Sequence, residues 1–125
     1  MTLLLRPLFI EALQHLSQSG TSENTLIYMK INHALQVASL LGGSIVEQQL
    51  FNAVQSLICS KVKHLTGLMI SRLSNNGFGI IANLSIEDSV DVAEGLANLL
   101  DQQTITIGDH SFYPKLIIGD NNENL

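Results

Sequence analysis

Tryptophan is absent from this chain of 125 residues, and cysteine occurs once, at Cys59. A single cysteine excludes an internal disulfide, so packing and hydrogen bonds must hold the fold, and it suits a reducing compartment. Cys59 falls inside an apolar helical pattern, where a buried thiol accounts for it. Basic residues are also scarce: six Lys and Arg face eleven Asp and Glu, for a net charge of −5. The six are scattered and form no stripe that could track phosphates, which argues against nucleic acid as a partner. Long apolar runs are missing too; none approaches the roughly 20 residues of a membrane span. Met1 to Leu5 is apolar, but it is too short for a signal-peptide core and has no basic segment before it. The expectation is a cytoplasmic domain without membrane contact. Apolar residues, by contrast, make up 46% of the chain and charged ones only 14%, which supplies one core and gives no sign of disorder.

Hydrophobic spacing orders the elements. Arg6 and Pro7 open a segment in which Phe9, Leu13 and Leu16 recur at helical spacing, with Gly20 as a stop. Thr25 to Ile31 is a short, nearly continuous run of strand formers, the pattern of a central strand. Asn32 is placed to cap a helix from Ala34 to Leu41, which Gly42-Gly43 ends. A second helix follows at once: Ser44 and Glu47 fit a capping box, and Val46, Leu50, Ala53, Val54 and Leu57 form one apolar face. Leu68 to Leu73 and Phe78 to Leu84 read as a hairpin around Ser74-Asn75-Asn76-Gly77, with Asn-Gly as the turn signal. Ser85 caps a helix whose buried stripe is Val92, Ala93, Leu96, Leu99 and Leu100. Thr104 to Ile107 and Phe112 to Ile118 make a last strand pair around Gly108-Asp109-His110. Pro114 lies in the second of these strands, where its missing N–H requires an unpaired position or a bulge. Asp120 to Leu125 reads as a polar tail. The order predicts an α+β fold, a mainly antiparallel sheet covered by helices.

That order and several local strings resemble the GGDEF domain of diguanylate cyclases, a relative of the nucleotide cyclase palm. The resemblance covers Arg6 to about Gly119, taken as a single domain of residues 1–119. Leu26-Ile-Tyr-Met-Lys-Ile-Asn-His33 resembles the family's metal-binding strand, written Asp-x-Asp-His, and His33 matches. Leu41-Gly42 falls where the family has Leu-Gly-His, and Arg72-Leu-Ser-Asn-Asn-Gly-Phe78 falls where it writes Arg-x-Gly-Gly-Asp-Glu-Phe. Arg72 and Phe78 are kept, whereas the residues between them are not.

The departures fall at functional positions. The resemblance implies metal acids at Lys30 and Asn76, but an ammonium and an amide are no substitute for hard oxygen anions around magnesium. The hairpin's second acid becomes Gly77, which can neither coordinate nor accept a proton. Ser74 and Asn75 replace the paired glycines that let phosphates approach. Of two positions that contact guanine in the family, one becomes Ala38 and the other Glu47; Glu47 could still pair with a guanine edge, although its capping-box spacing favours a structural role. The family's product-inhibition site, Arg-x-x-Asp, would fall at Leu65 and Leu68, so it too is expected to be absent. The family's closing helix has no counterpart after Gly119, and a piece of a longer protein is expected.

The expected function is therefore a catalytically inactive regulatory or interaction domain of bacterial cyclic di-GMP signalling. Its partner would be another protein, an adjacent signalling domain such as an EAL phosphodiesterase domain, or a second copy of itself. No metal is expected, and no cofactor, although magnesium and GTP belong to the family. Residual nucleotide contacts would fall to Glu47, Ser74 and Asn75. The alternatives are a GTP-binding sensor without turnover and, third, an active cyclase with unusual residues. His15, His33, His64 and His110 each stand alone and read as structural or solvated. Lys30 reads as solvated or ion-paired, with a phosphate contact as its alternative. Leu3, Leu4 and Leu5 have no place in the domain's own pattern and are expected to meet a neighbouring segment or a second copy.

Overall fold

Alternation along Thr25–Ile31 (β1) decides how the sheet is covered. Ile27, Met29 and Ile31 point to one face and are buried, while Tyr28 and Lys30 on the other face are exposed. Leu26, on the same face as these two, is buried because a helix covers only the start of the strand there. In this computed structural model, residues 3–19, 24–101 and 103–121 are described. Helix α1 spans Arg6–Ser19 and α2 spans Ala34–Val62. Strands β2 (Met69–Ser74) and β3 (Gly77–Ala82) precede α3 (Ile86–Leu99). The short strands β4 (Ile105–Ile107) and β5 (His110–Phe112) then lead to β6 (Leu116–Asn121).

The main sheet has the order β2-β3-β1-β6, and every neighbouring pair is antiparallel. On one face Ile27, Met29, Ile70, Phe78 and Ile80 pack against Leu50, Phe51, Val54 and Ile58 of α2 and Leu96 of α3. On the other face Phe9 of α1 meets Leu26 and Ile81, with Leu13, Met69 and Leu73 around them. Strand β3 is buried at all six positions, as its place between β2 and β1 requires. Among the described residues every buried side-chain polar atom has a partner. Ser71 Oγ, for example, donates to Leu4 O at 2.9 Å.

Helix α2 holds both of the expected helices, broken at Gly43. That residue has φ 75° and ψ −167°, a conformation that a side chain would strain. The N-cap is His33 rather than Asn32; Asn32 instead turns its Oδ1 to accept from Ala34 N at 3.1 Å. Ser85 caps α3 as expected, accepting from Asp88 N. Among the described residues no helix is long and apolar enough to cross a membrane.

Four expectations are corrected. The hairpin's central residues are Asn75 and Asn76, not Asn-Gly; Gly77 already belongs to β3, opposite Ser74. No non-glycine residue has positive φ among those described, so both central residues sit in ordinary turn conformations, and a register shift between Arg72 and Ser74 absorbs the extra residue. The last strand is two: β5 pairs only with β4, the chain breaks at buried Pro114, and β6 joins β1. Strand β6 also runs through Asp120 and Asn121, which pair with Ile27 and Leu26 where a tail was expected; the rest of that expected tail, 122–125, lies outside the described residues. Finally, Leu4 pairs with Ser71, donating N–H to Ile70 O at 2.8 Å. Leu3 packs on the larger core and Leu4 on the smaller, which leaves Leu5 exposed. The expected stop at Gly20 lies outside the described residues.

Candidate functional site

Three chain segments converge at the end of β1. The strand delivers Lys30 and Ile31, the tight connection to α2 delivers Asn32 and His33, and the β2–β3 turn delivers Asn75 and Asn76. Together with Leu35, Gln36 and Glu47 of α2 and Ile117 of β6, these residues line a cavity of about 490 Å³. Antiparallel register explains the convergence: Lys30 stands opposite Gly77 on one side and Ile117 on the other.

The turn is tied to β1 twice. Ile31 N donates to Asn76 O at 2.8 Å, and Asn76 Nδ2 donates to Ile31 O at 3.1 Å. Asn76 Oδ1 accepts from Ser74 Oγ at 3.3 Å, so both ends of the amide are committed. A carboxylate at position 76 would set oxygen against the Ile31 carbonyl and could rest there only with a cation between them; an amide closes the gap by itself.

Arg72 braces the same turn. Its Nε donates to Ser74 O at 3.2 Å and an Nη donates to Asn75 O at 2.6 Å. The guanidinium carbon lies 3.6 Å from the Phe51 ring centroid, and Phe51 stacks on Phe78 at 4.8 Å. Burial lowers the Arg72 pKa from its ordinary value, and the Glu47 carboxylate acts in the opposite direction. Glu47 therefore sits within the guanidinium's field. No side-chain hydrogen bond joins Glu47 to Ser44 among the described residues, and the spacing that suggested a capping box here places a carboxylate in the cavity wall instead.

The donor set does not fit magnesium. Lys30 is a cation, Asn76 presents its N–H₂ inward, Gly77 has no side chain, and no cluster of three His, Cys, Asp or Glu occurs among the described residues. A Cβ at Gly77 would stand 2.6 Å from Ser74 Oγ and would require that hydroxyl to turn away from Asn76. Of the expected nucleotide contacts, Glu47 and Asn75 line the cavity, while Ser74 lies just outside it, engaged with Asn76. Ala38 is fully buried in the core. Leu65 and Leu68 are half-buried against the larger core, where no charged pair stands.

Solved structures share this architecture. The diguanylate cyclase SiaD from Pseudomonas aeruginosa, in complex with its activator SiaC, matches 94% of this chain with a TM-score of 0.80. This chain has the GGDEF fold. It is 11% identical to SiaD and spans 46% of that chain. The GGDEF domain of DgcB from Caulobacter crescentus, in complex with c-di-GMP, matches with a TM-score of 0.79 and 14% identity over 94% of this chain and 71% of that one. The FimX GGDEF domain from Pseudomonas aeruginosa gives 0.76 and 16% over 94% and 74%. No family model and no curated protein matches the sequence. At these identities the likeness fixes the GGDEF fold, and the chemistry has to be read from the side chains at the end of β1.

Sequence reasoning missed Gln36 and Ile117 as cavity residues, and it missed the placement of Arg72 over Phe51. Ile117 comes in through the register of β6, for which no local motif exists. Arg72 meets Phe51 across the sheet–helix interface, a contact that carries no sequence spacing.

Proposed function

We propose that this chain is a non-catalytic, cytoplasmic GGDEF-fold domain of bacterial cyclic di-GMP signalling that acts by contact with a protein. The observation that carries this reading is the Asn76 amide. At the position where the resemblance calls for a metal acid, Nδ2 donates to Ile31 O at 3.1 Å, with the Lys30 ammonium nearby in the same cavity wall. Two-metal phosphoryl chemistry needs anionic ligands and a proton acceptor there, and Lys30, Asn76 and Gly77 supply neither. The SiaD structure, solved with a protein activator, supports protein contact as the mode of action. An adjacent EAL domain or a second copy would serve the same role. The test is to incubate the purified chain with GTP and magnesium and assay for cyclic di-GMP; none is expected, and product at a rate above background sinks the reading.

A second reading is favoured by the cavity itself. Its volume of about 490 Å³ is in the range of ligand sites, and it keeps Glu47, a carboxylate able to accept from guanine, together with Asn75. On this reading the domain is a nucleotide sensor without turnover, GTP being the nucleotide that the resemblance implies. Resonance shifts at Glu47 and across residues 74–77 on titration, with no product formed, are the expected signature.

A further inference from the structure

We infer that the outer side of α2 and the tip of the β4–β5 hairpin form the surface on which two copies of this chain pair about a two-fold axis. The inference deepens the protein-contact reading above and rests on it. Its starting point is a scarcity of charge. Between Ala34 and Ser60 the one charged residue is Glu47, and that carboxylate stands in the wall of the cavity at the end of β1. Helix α3, about half as long, carries Glu87, Asp88, Asp91 and Glu94. A helix side that faces water ordinarily carries charge, whereas depletion of charge is the composition of an interface core.

The same side is apolar around the break in the helix. Val37, Leu40, Leu41 and Ile45 are all exposed, Leu40 by 87% and Ile45 by 72%. Ala34, Leu35 and Ala38 are buried on the inward side, so the first half of α2 is apolar on both sides, the pattern of a helix covered on both. A Cβ at Gly43 would meet nothing within 4 Å, which leaves the backbone there open to a partner. Leu41 and Val46 also line a groove of about 640 Å³, shared with Ile107 of the hairpin, along which Asp109 is the one acid. Projecting side chains beside a recess can fill each other's recess across a two-fold axis, the isologous arrangement.

Chemistry makes a second copy the occupant. Each chain carries a net charge of −5, and two copies can meet on the outer side of α2 without setting a carboxylate of that helix against its own copy. The exposed residues that follow the apolar ones are Gln48, Gln49 and Asn52, with Gln48 Nε2 donating to Asn52 Oδ1 at 2.9 Å. An amide is donor and acceptor at once and can bond to its own copy, which a carboxylate or an ammonium cannot do. A lipid surface does not fit, because no Lys or Arg lies between Ala34 and Ser60 to meet its phosphates.

The test is sedimentation equilibrium of the whole chain from about 1 μM to 1 mM, where a small interface is expected to give a dimer with a dissociation constant on the order of 1–100 μM. Leu40→Glu and Ile45→Glu should each weaken the dimer roughly tenfold or more by bringing like charges together. Circular dichroism should be unchanged, because both side chains are exposed. Ile86→Glu, at a position of α3 that is 69% exposed, should leave the dimer intact. In the wild-type chain, resonance shifts on dilution should fall within residues 37–49 and 106–110. A monomer throughout the range, a dimer that survives both α2 variants, a dimer lost equally on Ile86→Glu, or dilution shifts outside those segments would overturn the inference. The reading it rests on is tested separately: cyclic di-GMP formed from GTP overturns the non-catalytic reading whether or not the chain dimerises, and a monomer that makes no product leaves that reading with another protein as its partner.

Discussion

Arg72 holds its guanidinium 3.6 Å from the centroid of the Phe51 ring, and so joins the β2–β3 turn to α2 across the edge of the core. The same side chain donates to the carbonyls of Ser74 and Asn75. The turn is therefore held from outside by a cation and from inside by Asn76.

Removing that brace should cost stability. Arg72→Ala loses the ring contact and two charge-assisted bonds at a half-buried site, and about 1–2 kcal/mol is expected in urea unfolding. Arg72→Lys should recover less than half of it, because a point charge cannot span both carbonyls and also lie flat on the ring. Full recovery by lysine would mean that charge alone matters and that the fork geometry does not.

Asn76→Asp is the sharpest probe of the turn's inner bond. The substitution replaces a donor to Ile31 O with a carboxylate, and about 1–2 kcal/mol should be lost at neutral pH. A protonated aspartic acid can again donate to that carbonyl, so the folded state should raise the pKa of the introduced carboxyl. A raised folded-state pKa gives stability that is present at low pH and lost as pH rises through it. The deficit relative to the wild type should thus shrink on acidification, and magnesium should not restore it at neutral pH. A rise in Tm with magnesium would show that one acid is enough to rebuild an ion site.

Much of this was legible along the chain, because its signals are local. The strand Thr25–Ile31 declares itself by composition, Ser85 by its cap, and Gly43 by the residue type that a left-handed break needs. The expected helix break and the order of elements follow from those. What failed needed partners distant in sequence. Asn-Gly is a strong turn signal, but Gly77 pairs with Lys30 and Asn76 bonds Ile31 of β1, so the turn lies one residue earlier. The split of the last strand at Pro114 follows from β5 and β6 having different partners, which no local pattern records. Glu47 illustrates the same limit at the site: Ser-x-x-Glu spacing fits a cap, yet the carboxylate faces the cavity and Arg72.

The two glycines of β3 should respond differently to alanine. At Gly77 a Cβ meets the end of an exposed serine, Ser74 Oγ at 2.6 Å, which can swing away at the cost of its bond to Asn76. At Gly79 it meets Leu73 Cδ1 at 2.8 Å and Phe9 Cζ at 2.9 Å, and Phe9 is fully buried. Gly79→Ala should cost about 1–3 kcal/mol, as overpacking does, and Gly77→Ala clearly less. Equal costs would mean that α1 yields as easily as a surface serine.

Cys59 gives a test of how well α2 is seated. Burial raises its pKa above the ordinary thiol value, so at mildly alkaline pH the folded protein should hold less thiolate than the unfolded chain. Reaction with a disulfide reagent should be slower in buffer than in urea after correction for the reagent's own rate. Because the folded-state pKa is the higher one, stability is full below the ordinary thiol range and should decline as pH rises through it, and Cys59→Ser should remove that decline. Equal thiol reactivity in buffer and urea would place Cys59 in water, and the second half of α2 would then pack less closely than its buried neighbour Ile58 indicates.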